Sequence, residues 1–140
     1  MAEEFDPLQL DSQLCFPLYA AAKKVVGYYE PFLKELDLTY TQYIAMLVLW
    51  EKKETNVKDL GERLHLDSGT LTPLLKKLEA KGYIKRTQSR IDARYLNVCL
   101  TKKGASLREK ALSIPQEIGK CVNISLEDAI TLRLILDKII

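Results

Sequence analysis

Apolar residues recur at helical spacing through most of this chain, and the gaps between them predict where helices begin, stop and give way to strands. The plainest stretch is Leu71, Leu74, Leu75 and Leu78, at i, i+3, i+4 and i+7, which share one buried stripe of an amphipathic helix. The opposite face carries Thr70, Pro73, Lys76 and Lys77, with Gly82 as a stop signal. Short hydrogen-bonding groups come first and ammonium groups follow. Such a face suits a helix that enters a DNA major groove end-on, its first turn near base edges and its lysines near flanking phosphates.

The other elements follow in order. Leu14, Leu18, Ala21, Ala22, Val25, Tyr29, Phe32 and Leu36 predict a helix over about 12–36, with Pro17 harmless near its start and Pro31 kinking its last turns. Thr39-Tyr40-Thr41-Gln42 has the form of a capping box for a second helix over about 40–52. Asn56 caps a third, short helix to Leu64, in which Val57, Leu60 and Leu64 face inward. Residues 65–67 are then the turn of a helix-turn-helix, and Ser68 caps the recognition helix. Segments 83–87 and 95–100 read as strands, the second with Leu96, Val98 and Leu100 alternating against Tyr95, Asn97 and Cys99. The pair forms a hairpin with a basic tip, a wing, and Arg90 and Arg94 there suit a narrow minor groove. Asp92 between them is an orienting partner for an arginine, since a carboxylate repels phosphate. Thr101 caps a helix to about Val122, kinked at Pro115, and Ser125 opens a last one carrying Ala129, Leu132, Ile135, Leu136 and Ile139. So much apolar surface on terminal helices predicts cover by a second subunit.

Composition narrows the function. With 140 residues, 47% of them hydrophobic, the chain builds one ordinary core, so a single domain over 1–140 is the expectation. No apolar run approaches eighteen residues and the first residues are acidic, which predicts a cytoplasmic protein without membrane contact. Cys15, Cys99 and Cys121 lack zinc-ligand spacing and His65 is the only histidine, which argues against a metal site; no cofactor is expected. Charge is informative by its placement. Nine Lys or Arg lie between Lys76 and Lys103 against Glu79 and Asp92, a local balance of +7 in a chain whose total is +2. That is the footprint of a nucleic-acid partner.

The order of elements resembles the MarR family of dimeric winged-helix regulators. It implies a mostly α fold with a small β wing, dimerisation helices over about 8–36 and 102–140, and a winged helix-turn-helix over about 40–100. The runs Asp67 to Glu79, Gln13-Leu14-Cys15-Phe16 and Leu38 to Tyr43 are similar to the OhrR and SarZ-like branch, which senses organic hydroperoxides. The resemblance implies that Cys15 is the sensor and that Tyr29 and Tyr40 hydrogen-bond it across the dimer. It implies further that Ser68, Thr70, Pro73, Lys76 and Lys77 face the major groove and that Asp92 and Arg94 form the wing tip. Gly69, Arg86 and Arg90 complete the expected DNA-binding set. Cys121 matches the two-cysteine branch, in which an intersubunit disulfide locks the oxidised state.

A cysteine at a helix N-terminus meets the positive end of the helix dipole, which favours the attacking thiolate. Its sulfenic acid then condenses with a second thiol. Phe16, Tyr19, Tyr29, Tyr40 and Met46 would line an apolar sensor pocket selecting organic peroxides. Cys99, alternating outward on its strand, is incidental, and His65 is a solvent-facing turn residue. The leading expectation is a homodimeric repressor, not an enzyme, that releases a pseudo-palindromic double-stranded operator when Cys15 is oxidised. The alternatives are a regulator answering to a small aromatic ligand, a thiol peroxidase, and a winged helix used for protein contacts.

Overall fold

Seven helices and three short strands account for the ordered elements of the computed structural model, which describes residues 4–140. After a 3-10 turn at Leu10–Ser12 come α1 (Cys15–Glu35), α2 (Tyr40–Lys52), β1 (Glu54–Asn56), α3 (Val57–Leu64) and α4 (Ser68–Ala80). Then follow β2 (Ile84–Gln88), β3 (Leu96–Leu100), α5 (Lys102–Ala111), α6 (Ile114–Val122) and α7 (Leu126–Leu136). The chain divides into two compact units. One holds the residues up to Tyr29 together with Pro115–Ile140; the other is Glu30–Ile114.

The larger unit is the winged helix. Leu71, Leu74, Leu75 and Leu78 of α4 are all buried, with Met46 and Leu49 of α2, Leu60 of α3, Ile84 of β2, Val98 of β3 and Leu107 of α5. Local chemistry sets the helix ends. Thr39 accepts from the Gln42 N–H while the Gln42 side chain accepts from the Thr39 N–H, the complete capping box. Asn56 caps α3 through the Asp59 N–H, and Thr101 caps α5 through the Gly104 N–H. α4 differs from expectation: its cap is Asp67, whose carboxylate accepts from the Thr70 N–H at 2.8 Å, and Ser68 is the first helical residue. Aspartate caps at least as well as serine and adds a charge suited to the helix dipole. The turn before it is a Schellman closure, in which His65 takes the left-handed conformation (φ 54°) and the Leu66 N–H reaches the Gly61 carbonyl.

The sheet has strand order β1-β3-β2, all antiparallel. β1 carries only Glu, Thr and Asn, with no apolar alternation to announce it; it forms because β3 offers a free edge, pairing Glu54 with Cys99 and Thr55 with Val98. The expected single helix from Thr101 to Val122 is two. Pro115 has no N–H for the Ala111 carbonyl four residues back and disfavours helix at the residue before it. α5 therefore ends at Ala111, and Pro115 sits in the first turn of α6, where its missing N–H costs nothing. α5 also joins the winged-helix unit: Leu107 and Ala111 are buried and the Trp50 Nε1–H donates to the Gly104 carbonyl at 2.8 Å.

In the smaller unit, Pro17 falls at the third residue of α1, where no intrahelical bond is lost; the last turns of α1, past Pro31 to Glu35, belong to the larger unit. Ser125 caps α7 through the Asp128 N–H. α7 has no buried residue: Leu126, Ile130, Leu132, Leu134 and Ile135 are all exposed in the single chain, as are Leu8, Leu10 and Leu14. Among the described residues, no helix is long and apolar enough to cross a membrane.

Candidate nucleic-acid interface and redox cysteines

The burial of the leucine stripe decides which face of α4 is presented. Ser68, Gly69, Thr70, Pro73, Lys76 and Lys77 are all exposed on the other side. The first three stand at the positive end of the helix, where backbone N–H groups and short side chains suit phosphate oxygens and base edges. About two turns further on, the exposed lysines add two positive charges.

The wing is braced internally. The Ser89 hydroxyl accepts from the Ile91 and Asp92 N–H groups, and the Asp92 carboxylate takes a bidentate pair of bonds from Arg94, Nε at 3.0 Å and Nη2 at 2.7 Å. The Arg94 side-chain and backbone hydrogen bonds hold the Asp92 carboxyl below its ordinary value, and Asp92 in turn raises that of Arg94. The carboxylate thus aims an exposed guanidinium outward, and Arg90 is exposed beside it. A cleft of about 820 Å³ lies between this hairpin and the helix-turn-helix, bordered by Lys58, His65, Asp67, Ser68, Arg94 and Tyr95. Sequence reasoning missed Lys58 and Tyr95, which only the folding of the wing against α3 brings to the cleft.

Arg86, expected among the DNA contacts, is engaged elsewhere. It is half-buried, its backbone N–H donates to Glu79 Oε2 at 2.8 Å and its Nη2 donates to Oε1 at 3.1 Å. It fastens β2, the strand that leads into the wing, to α4. First the Arg86 N–H, then its guanidinium, hold the Glu79 carboxyl below the ordinary 4.5. A carboxyl with a lowered folded value contributes stability that is present above its unfolded value and lost as pH falls through the folded one. Wild type should therefore lose thermal stability below pH 4.5 more steeply than Glu79→Gln, whose melting temperature is lower at pH 7 and changes less on acidification. Parallel melting profiles from pH 7 to pH 3 would rule this out.

Both candidate redox cysteines lie in the smaller unit. Cys15 is the first residue of α1, exposed, and Cys121 is exposed near the end of α6. Phe16 and Tyr19 are exposed beside Cys15 on the same helix, and Tyr29 is half-buried further along it. Tyr40 lies half-buried at the start of α2, its ring centroid 6.4 Å from that of Tyr43. Met46 does not join a sensor pocket: it has no exposed surface and packs in the winged-helix core, because its position on α2 faces inward with Ala45 and Leu49. Cys99 stands on the strand face opposite the buried Val98, as the alternation implies. It is half-buried between β1 and β2, and burial, then the charge of Glu54, push its thiol above the ordinary value, which makes it a poor source of thiolate. Among the described residues no group of His, Cys, Asp or Glu is placed to hold a metal.

The sequence profile of the SarA/Rot transcriptional regulators matches residues 27–111. The organic hydroperoxide resistance transcriptional regulator of Bacillus subtilis is 48% identical over 84% of this chain and 80% of its own length. The chain belongs to the SarA/Rot transcriptional regulators. It is a transcriptional regulator similar to the OhrR and SarZ branch: SarZ of Staphylococcus saprophyticus is 44% identical over 89% of the chain and 85% of its own length. The regulator fold is also that of AbfR of Staphylococcus epidermidis, solved reduced and bound to DNA, with a TM-score of 0.79 and 32% identity over 93% of this chain and 89% of that one. AbfR has been solved with a disulfide formed as well, with a TM-score of 0.67 and 34% identity over 93% and 91% of the two chains.

Proposed function

We propose that this regulator is a homodimeric, redox-sensing repressor that binds a pseudo-palindromic operator and releases it when Cys15 is oxidised by an organic hydroperoxide. The observation that carries the reading is an exposed cysteine at the N-terminus of the long helix α1, in a chain that also presents a polar and basic recognition helix braced to a wing. The Cys15 thiolate attacks the terminal peroxide oxygen, an S–O bond forms, the O–O bond breaks and the alcohol leaves. The Cys121 thiol of the partner subunit then attacks the sulfenic sulfur, the S–S bond forms, the S–O bond breaks and the hydroxyl leaves as water. AbfR, with a disulfide form known, supports that second step for a relative of this similarity. The exposed apolar surface of α7 and of the segment around Leu8 and Leu14 supports the homodimer, since each covered Leu or Ile contributes about 1.5–3 kcal/mol. Two subunits would hold their recognition helices about 34–36 Å apart, one DNA turn.

The test is operator binding by wild type, Cys15→Ser and Cys121→Ser, each with and without an organic hydroperoxide, alongside non-reducing gels. Wild type should lose at least about tenfold in affinity, some 1.4 kcal/mol, and run as a crosslinked dimer. Cys15→Ser should keep its affinity under oxidant. Release by oxidised Cys15→Ser equal to that of wild type would sink the proposal, and release by Cys121→Ser without crosslinking would replace the disulfide with a one-cysteine route.

The cleft beside the wing favours one second reading, a regulator answering to a small aromatic ligand, with apolar walls from Leu66, Leu71 and Leu96 and cations from Lys58 and Arg94. It predicts that Cys15→Ser leaves induction unchanged. The peroxidase alternative falls away with membership of a regulator family.

A further inference from the structure

The end of α1 and the end of α4 meet in a polar clasp that DNA contact and thiol chemistry do not by themselves require. α1 closes with a Schellman turn, Leu38 N–H to the Leu33 carbonyl, which puts Asp37 in the left-handed region (φ 54°). The Asp37 carbonyl accepts from Lys81 Nζ, whose other partner is Gln42 Oε1 at 3.0 Å; the Asp37 carboxylate lies 3.7 Å from the same ammonium. Gln42 Oε1 is also the acceptor for the Thr39 N–H, and Gln42 is the one buried polar side chain among the described residues. The neighbouring Tyr83 hydroxyl donates to the Leu36 carbonyl at 3.4 Å. Lys81 is the C-cap of α4, and its own carbonyl accepts from Lys103 at 2.9 Å. One half-buried ammonium therefore ties the turn that ends the cysteine-bearing helix, and the cap that starts α2, to the C-cap of the recognition helix.

We propose that Lys81 is a positioning residue that couples the position of α1 to that of the recognition helix through the Asp37 and Gln42 acceptors. This rests on the reading that oxidation at Cys15 controls operator binding, because α1 runs as one helix from Cys15 to Glu35 and its far end is the turn that Lys81 grips. α4 is clamped by four buried leucines, so a displacement of its C-terminal residue shifts the whole helix rather than bending it. Coupling between sites is reciprocal: if the turn biases the recognition helix, operator binding must bias the turn.

The experiment uses the full-length protein in four forms: wild type, Lys81→Met, Lys81→Arg and Tyr83→Phe. Two quantities are read, the ratio of oxidised to reduced operator Kd, and the slowing of amide hydrogen exchange at residues 39–43 on adding operator to the reduced protein. Wild type is expected to show a ratio of at least about tenfold and at least about fivefold slowing, within the usual range of allosteric coupling. Lys81→Met is expected to keep reduced-state affinity within about threefold of wild type while the ratio and the exchange response both fall to near one; Lys81→Arg restores both. A wild-type ratio and exchange response in Lys81→Met would overturn the clasp, as would equal losses of affinity in both redox states. Should Lys81→Met fail to fold, Tyr83→Phe decides, a reduced exchange response supporting the clasp and an unchanged one overturning it. If wild type has a ratio of one yet its exchange response depends on Lys81, the redox reading fails and the clasp stands.

Discussion

Alanine at Gly104 is expected to destabilise the winged-helix unit by about 3 kcal/mol or more, the upper end of overpacking costs. A Cβ there would stand 2.1 Å from the Tyr83 carbonyl oxygen, 3.0 Å from its carbon and 2.8 Å from Leu100 Cδ1. Leu100 can turn aside; the carbonyl cannot. It accepts from the Thr101 N–H at 3.1 Å, and the preceding Gly82 carbonyl is held by the Thr101 hydroxyl at 2.6 Å. Relief therefore requires α5 to lift away from the start of β2, which strains the Trp50 bond to the Gly104 carbonyl and uncovers Leu107. Thermal melting followed by circular dichroism should show a drop of roughly 10 °C, at a few degrees per kcal/mol for a chain of this size. A variant within about 1 kcal/mol of wild type would mean that the close approach of α5 to β2 is not what this position requires.

Operator binding by the double variant Lys77→Ala, Arg94→Ala is expected to weaken by at least about a hundredfold at physiological salt, roughly tenfold for each residue type removed from the proposed homodimer. The slope of log Kd against log salt should also fall by as much as about 3.6, since the proposed homodimer loses two contacts on each subunit and each lost phosphate contact removes about 0.9. The two residues act from different elements, Lys77 on the exposed face of α4 and Arg94 at the wing tip, and Arg94 arrives already oriented by Asp92. Asp92→Ala should therefore reproduce part of the Arg94 loss, although it removes a negative charge and electrostatics alone predicts tighter binding. Thr70→Ala, near the start of α4, is expected to change preference among operator sequences with little effect on the salt slope. Unchanged affinity and slope in the double variant would mean that DNA, if bound at all, lies on another face.

Most of the secondary structure was legible because it is set over three or four residues. The leucine stripe of α4, the Thr39–Gln42 box, the Asn56 and Thr101 caps and the Ser125 start all follow from spacing and side-chain chemistry that act within one helical turn. The exposed face of α4 follows from the same stripe, since a buried side defines its opposite. The Ser68 cap missed by one residue because Asp67 and Ser68 are both good caps and local pattern does not choose between them. The helix break before Pro115 was legible in kind, a disturbance at proline, but not in degree.

Composition and periodicity alone determined that this chain is mostly helical with a β-hairpin, that four leucines of α4 point inward and that its basic charge gathers around that helix and the wing. Only the tertiary structure decided that Arg86 serves Glu79, that Met46 is fully buried and Cys99 half-buried, that a polar triplet becomes β1, and that Lys81 reaches the turn after α1. The reason is range. Capping and amphipathicity are written within a turn of helix, whereas the partner of a long charged side chain, or of a strand edge, lies on another element, seven residues away for Arg86 and Glu79, 39 for Lys81 and Gln42 and 45 for Glu54 and Cys99, and local sequence does not specify it.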